Sequence, residues 1–262
     1  MTAAGKSSLC NSILGVEEKL TAPFVSKASP AQVTTKLESK DAKVLDYRVS
    51  IVDTPGLFDT INCIAERDVL KRSISLISPG PHAILLTIKV GRFTEEVIRG
   101  IGQMRKSFGR ESTRFLIVVF THVDYLFDDD DDDSEDEEGN RHSIDERRAR
   151  KLQQYVDRIS GPCRNLLEDC SMRYVGVNSK FKSTSEENRQ QVHQLLSMIE
   201  TDGECYTLEL LEKDIKGEVV VENEGYTAKS GPPPTNIKLW FAVVVAVVVV
   251  LALGLGLGLG LG

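Results

Sequence analysis

Apolar residues along the chain follow two patterns, which predict strands and helices in alternation. Continuous apolar runs at residues 83–90 and 114–120 are typical of strands buried on both faces of a parallel sheet. Shorter β-rich runs predict further strands, and apolar residues spaced three or four apart predict helices. The further strands are expected at 33–37, 47–52 and 172–177, and the helices at 7–15, 64–77, 94–108, 141–159, 190–199 and 207–215. This alternation predicts an α/β fold with a doubly wound, mostly parallel sheet.

The first predicted helix follows the ending of a phosphate-binding loop. That motif is a glycine, four free positions and then Gly-Lys-Ser or Gly-Lys-Thr, and Gly5, Lys6 and Ser7 supply its last three positions. Glycine lets the backbone approach phosphate oxygens, lysine reaches the β- and γ-phosphates, and serine binds Mg²⁺. Together with Ser8, these residues are predicted to bind phosphate at the N-terminal end of the helix. The leading glycine and a preceding strand do not appear ahead of Gly5, so we expect a P-loop NTPase sheet that lacks its first strand.

A second nucleotide signature follows the strand predicted at 47–52. The strand ends in the sequence Asp-Thr-Pro-Gly, formed by residues 53–56. In such a motif the carboxylate lies near Mg²⁺ and the glycine N–H contacts the γ-phosphate. Aspartate, proline and glycine also favour ordinary turns, but the position after a Gly-Lys-Ser sequence favours the nucleotide interpretation. Asp53 and Gly56 are therefore predicted to bind nucleotide, and Asp53 also the metal ion.

Two further strand ends supply candidates for recognising guanine. Asp124 follows the run at 114–120, and a carboxylate there can accept hydrogen bonds from guanine N1 and N2, a donor pair that adenine lacks. The usual guanine motif is Asn-Lys-x-Asp, and here Thr121 and His122 replace Asn-Lys. His122 is expected to lie against the base, with an ordinary surface histidine as the alternative. Asn178 ends another strand, where backbone N–H groups could meet guanine O6.

These strand-end residues are expected to form one site. Ligands of open α/β sheets bind beyond the carboxyl ends of the strands, and Asp53, Asp124 and Asn178 all follow predicted strands. The sequence therefore predicts a guanine nucleotide, GTP or GDP, with Mg²⁺.

Charge is concentrated in one segment. The net charge of the 262 residues is −7, yet residues 128–138 are almost entirely acidic and the remainder is close to neutral. Residues 128–140 are therefore predicted to be a solvated, disordered insertion. Calcium binding is not expected there, because the spaced ligands of an EF-hand calcium loop are missing. The absence of a basic stripe argues against nucleic acid as a partner. Five scattered cysteines without C-x-x-C spacing fit a reducing cytosolic setting.

The end of the chain predicts a membrane anchor. Residues 217–238 are predicted to be a linker, and residues 239–262 form an apolar run long enough to span a bilayer core of roughly 30 Å. Lys238 and Trp240 lie where interface anchors are expected, although alternating leucine and glycine weaken the helix propensity of the final residues. No signal peptide precedes the domain, so residues 1–216 are expected to remain in the cytosol, attached by a single C-terminal transmembrane helix.

Three segments of the chain resemble the GTPases of immunity-associated proteins, the AIG1-type family. Residues 76–96 are similar to the hallmark box of that family, residues 53–60 (DTPGLFDT) are similar to its second nucleotide motif, and Cys170-x-x-Arg173-Tyr174 precedes the third base motif. The resemblance covers about residues 2–200. It implies an AIG1-type G domain that binds GTP and GDP, dimerises or polymerises across its nucleotide face, and acts in lymphocyte survival on intracellular membranes.

The resemblance also implies two residues that bear on hydrolysis. Thr34 matches the switch threonine that contacts the γ-phosphate and Mg²⁺, with Thr35 as the alternative, so Lys6 and Thr34 are the implied catalytic residues. Leu57 stands where many small GTPases carry a glutamine that orients water. Slow turnover is therefore expected, with a partner protomer supplying the missing catalytic group.

The sequence thus predicts a membrane-anchored GTP-binding switch, and two alternatives remain open. The incomplete phosphate loop favours a scaffold that oligomerises on a membrane without binding nucleotide. A GTPase receptor for protein import into an organelle is the other alternative, because chloroplast-envelope receptors share the domain type and a C-terminal anchor. The box at residues 76–96 argues against this last interpretation.

Overall fold

The computed structural model describes an α/β domain and a short C-terminal strand. The described residues are 5–15, 37–54, 63–77, 79–91, 95–127, 144–178, 180, 182, 184–199, 204–222 and 244–245. Their helices are α1 (Lys6–Leu14), α2 (Cys63–Ser75), α3 (Glu95–Phe108), α4 (Ile144–Asp157), α5 (Pro162–Asp169), α6 (Glu186–Ser197) and α7 (Leu208–Glu222). Their strands are β1 (Glu38–Val44), β2 (Tyr47–Asp53), β3 (Ile84–Lys89), β4 (Leu116–Thr121), β5 (Tyr174–Val177) and β6 (Val244–Val245). Short 3₁₀ helices cover Glu111–Phe115 and Val123–Leu126.

The strands form two separate sheets. In the larger sheet the order is β5-β4-β3-β6, with β3, β4 and β5 parallel and β6 antiparallel to β3. In the smaller sheet β1 and β2 form an antiparallel hairpin that pairs Glu38 with Asp53. Among the described residues only Gly5 precedes α1, so the expected absence of a first strand stays a prediction.

Apolar side chains fill two cores on opposite faces of the strands. Leu86 and Val118 belong to a core shared with α2, α3, α4, α5 and α7, whereas Leu85, Ile117 and Val175 belong to a core shared with α1 and α6. Neighbouring residues of a strand point to opposite faces, so a continuous apolar run serves both cores. Helices on both faces of a largely parallel sheet confirm the predicted doubly wound α/β fold.

The structure corrects the interpretation of the first hairpin. No strand was predicted at residues 38–44, between the expected strands at 33–37 and 47–52, but these residues form β1. Ala42 and Val44 pack toward the core shared with α1, while Asp41 and Lys43 remain exposed. This alternation has the period of a strand that is buried on one face, and the charged residues concealed it. The strand predicted at 33–37 lies outside the described residues except for Leu37, which precedes β1.

Two helices also differ from the prediction. The sequence interpretation missed α5, although Pro162 stands at its first turn after Gly161, and proline is favoured at that position. Helix α7 was predicted to end at 215 but continues to Glu222, into the stretch predicted as a linker. The remainder of that linker lies outside the described residues, as does the acidic insertion at 128–140.

The predicted membrane anchor is largely outside the described structure. Across the residues that the structure describes, no helix has both the length and the apolar character needed to cross a membrane. Of residues 239–262, only Val244 and Val245 are described, and they pair with β3 as a strand where a helix was predicted. Valine suits strands as well as apolar helices. The anchor therefore stays a prediction.

Candidate nucleotide-binding site

The N-terminal end of α1 lies against the end of β4. Gly5 begins the helix with a left-handed φ of 82°, and its carbonyl accepts a hydrogen bond of 2.7 Å from the Leu9 N–H. A Cβ added to Gly5 would lie 3.4 Å from Cγ2 of Thr121. Glycine is favoured here by its backbone conformation, since side chains rarely adopt this φ. The contact brings the predicted phosphate loop beside the strand that leads to Asp124.

Ser7 and Asp53 meet directly at the end of β2. The Ser7 hydroxyl donates a hydrogen bond of 2.6 Å to Oδ2 of Asp53, and both residues are buried. These are two of the three residues predicted to bind Mg²⁺. A hydroxyl and a carboxylate are oxygen ligands that fit Mg²⁺, which commonly keeps several waters and takes one or two carboxylates together with substrate phosphates. Lys6 and Ser8 lie at the same end of α1 and are partly exposed.

Two of the predicted site residues cannot be placed. Thr34 and Gly56 lie outside the described residues, so their predicted roles at the γ-phosphate remain predictions. In the described part of the chain no group of three or more His, Cys, Asp or Glu side chains is arranged to hold a metal ion. The oxygen set of Ser7 and Asp53 is of a different kind, because only one of the two is a carboxylate.

The guanine candidates lie together beyond β4 and β5. Asp124 is 6% exposed and lies in the 3₁₀ helix Val123–Leu126. Its Oδ2 is 2.8 Å from Nζ of Lys180, whose side chain is largely exposed. The backbone N–H of Lys180 donates to Oδ1 of Asn178 at 2.9 Å. We call the two described residues Asn178 and Lys180 the base loop. The side chain of Asn178 therefore binds the backbone of Lys180, and Nζ of Lys180 reaches the carboxylate predicted to bind guanine.

His122 lies beside this carboxylate in a left-handed conformation, with φ of 59°. Its ring stacks on Tyr125, with 5.8 Å between ring centroids and 24° between planes. Burial lowers the pKa of His122, and the positive charge of Lys89 lowers it further, although Asp124 acts in the opposite direction. The lowered pKa favours the neutral imidazole at pH 7. The ring can then act as an aromatic surface without a positive charge.

Four residues that were not predicted as site residues, Tyr125, Lys89, Lys180 and Thr121, help to build this end of the site. The Tyr125 ring is half exposed and has the ammonium groups of Lys89 and Lys180 at 5.3 and 5.9 Å from its centroid. Thr121 contacts both Gly5 and the Nδ1 atom of His122, the latter at 3.1 Å through its hydroxyl. The available signal was position, since Thr121 occupies the first place of the Asn-Lys-x-Asp motif.

A cavity of about 530 Å³ lies behind the base loop, between α4, β5 and α6. Its walls include Leu152, Met172 and Tyr174, and Asn178 and Gln191 form its border with the base loop. It does not include the predicted phosphate residues, and Asn178 is the one predicted site residue in its lining. The cavity is thus separate from the phosphate end of the candidate site.

Cys10, Cys163, Cys170 and Cys205 are buried, and burial favours their protonated form. Burial is the main cause that raises the pKa of the Cys163 and Cys170 thiols, to about 11 in each case. At Cys10, burial and the negative charge of Asp53 raise the pKa, while Lys6 opposes them. Cysteine reacts as the thiolate, so none of these thiols is poised to act as a nucleophile.

Slow thiol labelling is the corresponding prediction. In a variant with the other three cysteines replaced by serine, Cys163 and Cys170 should react with a disulfide reagent at pH 8 roughly a hundredfold more slowly than an exposed cysteine. Because their pKa values are about 11, the rate should keep rising tenfold per pH unit up to pH 10. The unfolded protein in denaturant is the control. A rate that levels off near pH 9 in the folded protein would contradict the raised pKa values.

Comparisons with known proteins point to one family. The AIG1 family model matches residues 1–224. The chain is 30% identical over 210 residues to GTPase IMAP family member 8 of Homo sapiens, which covers 78% of this chain and 27% of that protein. It is 32% identical over 217 residues to immune-associated nucleotide-binding protein 9 of Arabidopsis thaliana, covering 80% of this chain and 56% of that protein. The chain thus spans about a quarter of the first relative and little more than half of the second.

Solved structures show a more distant likeness. Toc33 from Arabidopsis thaliana in complex with GDP and Mg²⁺ has a TM-score of 0.46 and 17% identity, with 75% of this chain and 78% of that chain covered. Toc33 in complex with Mg²⁺ and GMPPNP gives a TM-score of 0.44 and 16% identity, covering 85% and 81%. A likeness of this extent carries no conclusion about ligand, assembly or import into an organelle.

Proposed function

This chain belongs to the AIG1 family, and from that premise we propose that it binds GDP and GTP together with Mg²⁺. The observation that carries the proposal is the hydrogen bond of 2.6 Å between Ser7 and Asp53, because it joins the two separate nucleotide motifs in one buried place. The phosphate end of the site is then formed by α1 and β2, and the base end by the segment that follows β4.

Each end of the site has a distinct task in this proposal. Lys6 binds the β- and γ-phosphates, and the first N–H groups of α1 face the same anion. Ser7 and Asp53 would hold Mg²⁺, which would neutralise phosphate charge when bound. Asp124 accepts the hydrogen bonds of guanine N1 and N2, with the neutral His122 ring beside the base.

Hydrolysis, assembly and location extend the same proposal. Hydrolysis of GTP is slow in the isolated chain, because Leu57 cannot orient a water molecule. Thr34 contacts the γ-phosphate and the metal ion in this proposal. A second copy bound across the nucleotide face supplies the missing catalytic group. Residues 239–262 anchor the protein in a membrane with the G domain in the cytosol. The names of the relatives support a role in immune regulation.

Binding of GDP by the full chain in detergent tests the proposal against a scaffold that binds no nucleotide. Calorimetry should give a dissociation constant in the micromolar range or tighter, and Lys6→Ala should weaken it at least tenfold, because hydrogen bonds to charged groups contribute about 1.5–3 kcal/mol each. Lys71→Ala is the matched control, since Lys71 lies at the surface and approaches Glu212 at 4.0 Å. Absence of GDP binding by the folded wild-type protein would reject the nucleotide proposal in favour of the scaffold.

The ion pair between Lys180 and Asp124 predicts an effect on affinity. Guanine must compete with the ammonium group for the carboxylate, so Lys180→Met should raise GDP affinity. The Lys180 side chain is 64% exposed, and exposed ion pairs contribute roughly 0.2–1 kcal/mol, so the expected gain is about 1.5- to 5-fold. Lys182→Met, at another exposed lysine, should leave GDP affinity unchanged. Weaker binding by Lys180→Met would show that the lysine helps to hold the base.

A further inference from the structure

The base loop is bound by a side chain from α6. Oε1 of Gln191 accepts a hydrogen bond of 3.0 Å from the backbone N–H of Asn178, and Nε2 of Gln191 donates to the Asn178 carbonyl at 3.4 Å. The Gln191 amide thus binds both backbone groups of Asn178, the residue that follows β5. The pairing resembles that of a neighbouring strand, with a side chain in place of a backbone.

The side chain of Gln191 is also connected to α1, through the side-chain amide of Asn188. Nε2 of Gln191 also donates to Oδ1 of Asn188 at 2.7 Å. That oxygen accepts a second hydrogen bond of 2.7 Å from the Ser12 hydroxyl, and Nδ2 of Asn188 donates to the Ser12 carbonyl at 3.0 Å. The hydrogen bonds therefore run without a break from the helix that begins at the phosphate loop to the base loop.

The three side chains that make these hydrogen bonds are buried. Ser12, Asn188 and Gln191 are 7%, 2% and 9% exposed. Ile13 and Val192 follow Ser12 and Gln191 in sequence and belong to the core shared by α1 and α6, while Gln191 also borders the cavity behind the base loop. Buried polar groups are costly unless each one finds a partner, and breaking one bond of a network leaves another group unsatisfied. The relay therefore admits few alternative arrangements of the two ends that it joins.

We propose that Asn188 and Gln191 form a relay through which α1 holds the base loop in position, which makes Gln191 a positioning residue for guanine recognition. The recognition part rests on the proposed nucleotide function. Gln191 binds the backbone of Asn178, and Oδ1 of Asn178 in turn binds the Lys180 N–H. A shift at Gln191 therefore moves the base loop, whose described N–H groups are both held by these side chains and whose backbone is predicted to lie at guanine O6. The opposite end of the relay lies in the helix whose first residues are predicted to bind the phosphates.

Amide hydrogen exchange of the nucleotide-free protein tests the relay without depending on GDP. Gln191→Leu removes every hydrogen bond of the amide while keeping a side chain of similar size. Exchange in peptides covering the base loop and α1 should become at least tenfold faster. Gln194→Leu, at an exposed position of the same helix, is the matched control and should change neither peptide. Unchanged exchange at the base loop in Gln191→Leu would overturn the relay, even in a protein that binds GDP.

Nucleotide selectivity separates positioning from a general loss of stability. GDP and ADP share the phosphates, but only GDP offers O6 to the base loop. Gln191→Leu should weaken GDP binding by about tenfold and leave ADP binding within twofold of the wild type, measured by competition with a fluorescent GDP analogue. An equal loss for both nucleotides would indicate a merely structural role and would overturn the assignment of Gln191 to guanine recognition. Absence of GDP binding by the wild type would reject the nucleotide function, and the relay would then stand or fall on exchange.

A milder variant keeps the test available when Gln191→Leu fails to fold. Ser12→Ala removes the hydroxyl that donates to Asn188 and leaves the helix backbone intact. Faster exchange at the base loop in Ser12→Ala would show transmission through Asn188, since Ser12 itself makes no described contact with Asn178. Ser197→Ala, at an exposed position of α6, provides the comparison for a helix serine outside the relay. Equal exchange at the base loop in wild type and Ser12→Ala would overturn the transmission.

Discussion

Replacing Asp124 with Asn should reduce GDP affinity by about 10²- to 10⁴-fold. The carboxylate is predicted to accept two charge-assisted hydrogen bonds from guanine, each worth roughly 1.5–3 kcal/mol. Asparagine has nearly the same shape, but its amide offers one acceptor oxygen and no negative charge. The substitution also removes the partner of the Lys180 ammonium, which then lies near the base without a counter-charge. Displacement of a fluorescent GDP analogue by unlabelled GDP measures the loss.

The base-specific origin of this loss can be separated from other effects. ADP makes no use of the carboxylate in this proposal, so its weak affinity should change less than threefold in Asp124→Asn. Asp68→Asn, at an exposed position of α2, removes a negative charge of the same kind away from the candidate site. A loss of GDP affinity no greater than that of Asp68→Asn would exclude Asp124 as the guanine carboxylate.

Replacing Gly80 with Ala should destabilise the fold by about 2–4 kcal/mol. A Cβ at this position would lie 2.4 Å from the Tyr206 carbonyl oxygen and 2.8 Å from its carbon. The two backbones cannot easily separate, because the Tyr206 N–H donates to the Pro81 carbonyl at 2.7 Å, and the Tyr206 side chain is fully buried. Overpacking of this kind costs about 1–3 kcal/mol, and loss of the hydrogen bond adds about 1 kcal/mol. Urea unfolding at constant slope measures the change.

Gly102 provides a matched control for this substitution. It lies in α3 and is exposed, and an added Cβ would meet nothing within 4 Å. Alanine is about 0.5–1 kcal/mol more favourable than glycine inside a helix, so Gly102→Ala should stabilise the protein by that amount. Similar midpoints for the two variants would show that the approach of Tyr206 to Gly80 does not restrict the backbone.

The elements that were predictable from sequence are those with a strong local signal. The run at 83–90 is apolar except for Thr87 and Lys89, and β3 lies within it because both faces of the sheet are covered by helices. The end of α1 was predictable from Gly15, which has a left-handed φ of 67° as a helix-ending glycine does. In β1, by contrast, charged residues occupy the exposed face and hid the strand. It pairs with β2 across a turn of two residues, Leu45 and Asp46, so the hairpin is a local contact that the charged residues concealed.

The candidate site divides in the same way. The motifs identified Ser7 and Asp53 separately, and the fold brings them into contact as the positions of the strand ends implied. Tyr125 and Lys89 could not be identified, because their approach depends on how two neighbouring strands end in space. Asn188 was hidden for another reason. A polar residue in a helix usually faces solvent, and burial against Ser12 is visible only once α1 and α6 are packed.

The hydrogen bonds between the Gln191 side chain and the Asn178 backbone also affect contacts between separate molecules. β5 is the terminal strand on its side of the four-stranded sheet, and a terminal strand offers unpaired backbone groups to other chains. Because Gln191 binds both backbone groups where β5 ends, a side chain of α6 stands in the path of an incoming strand. The amide thus binds both backbone groups of Asn178 that an incoming strand could pair with, at a position where other proteins protect a sheet edge with a lysine or proline.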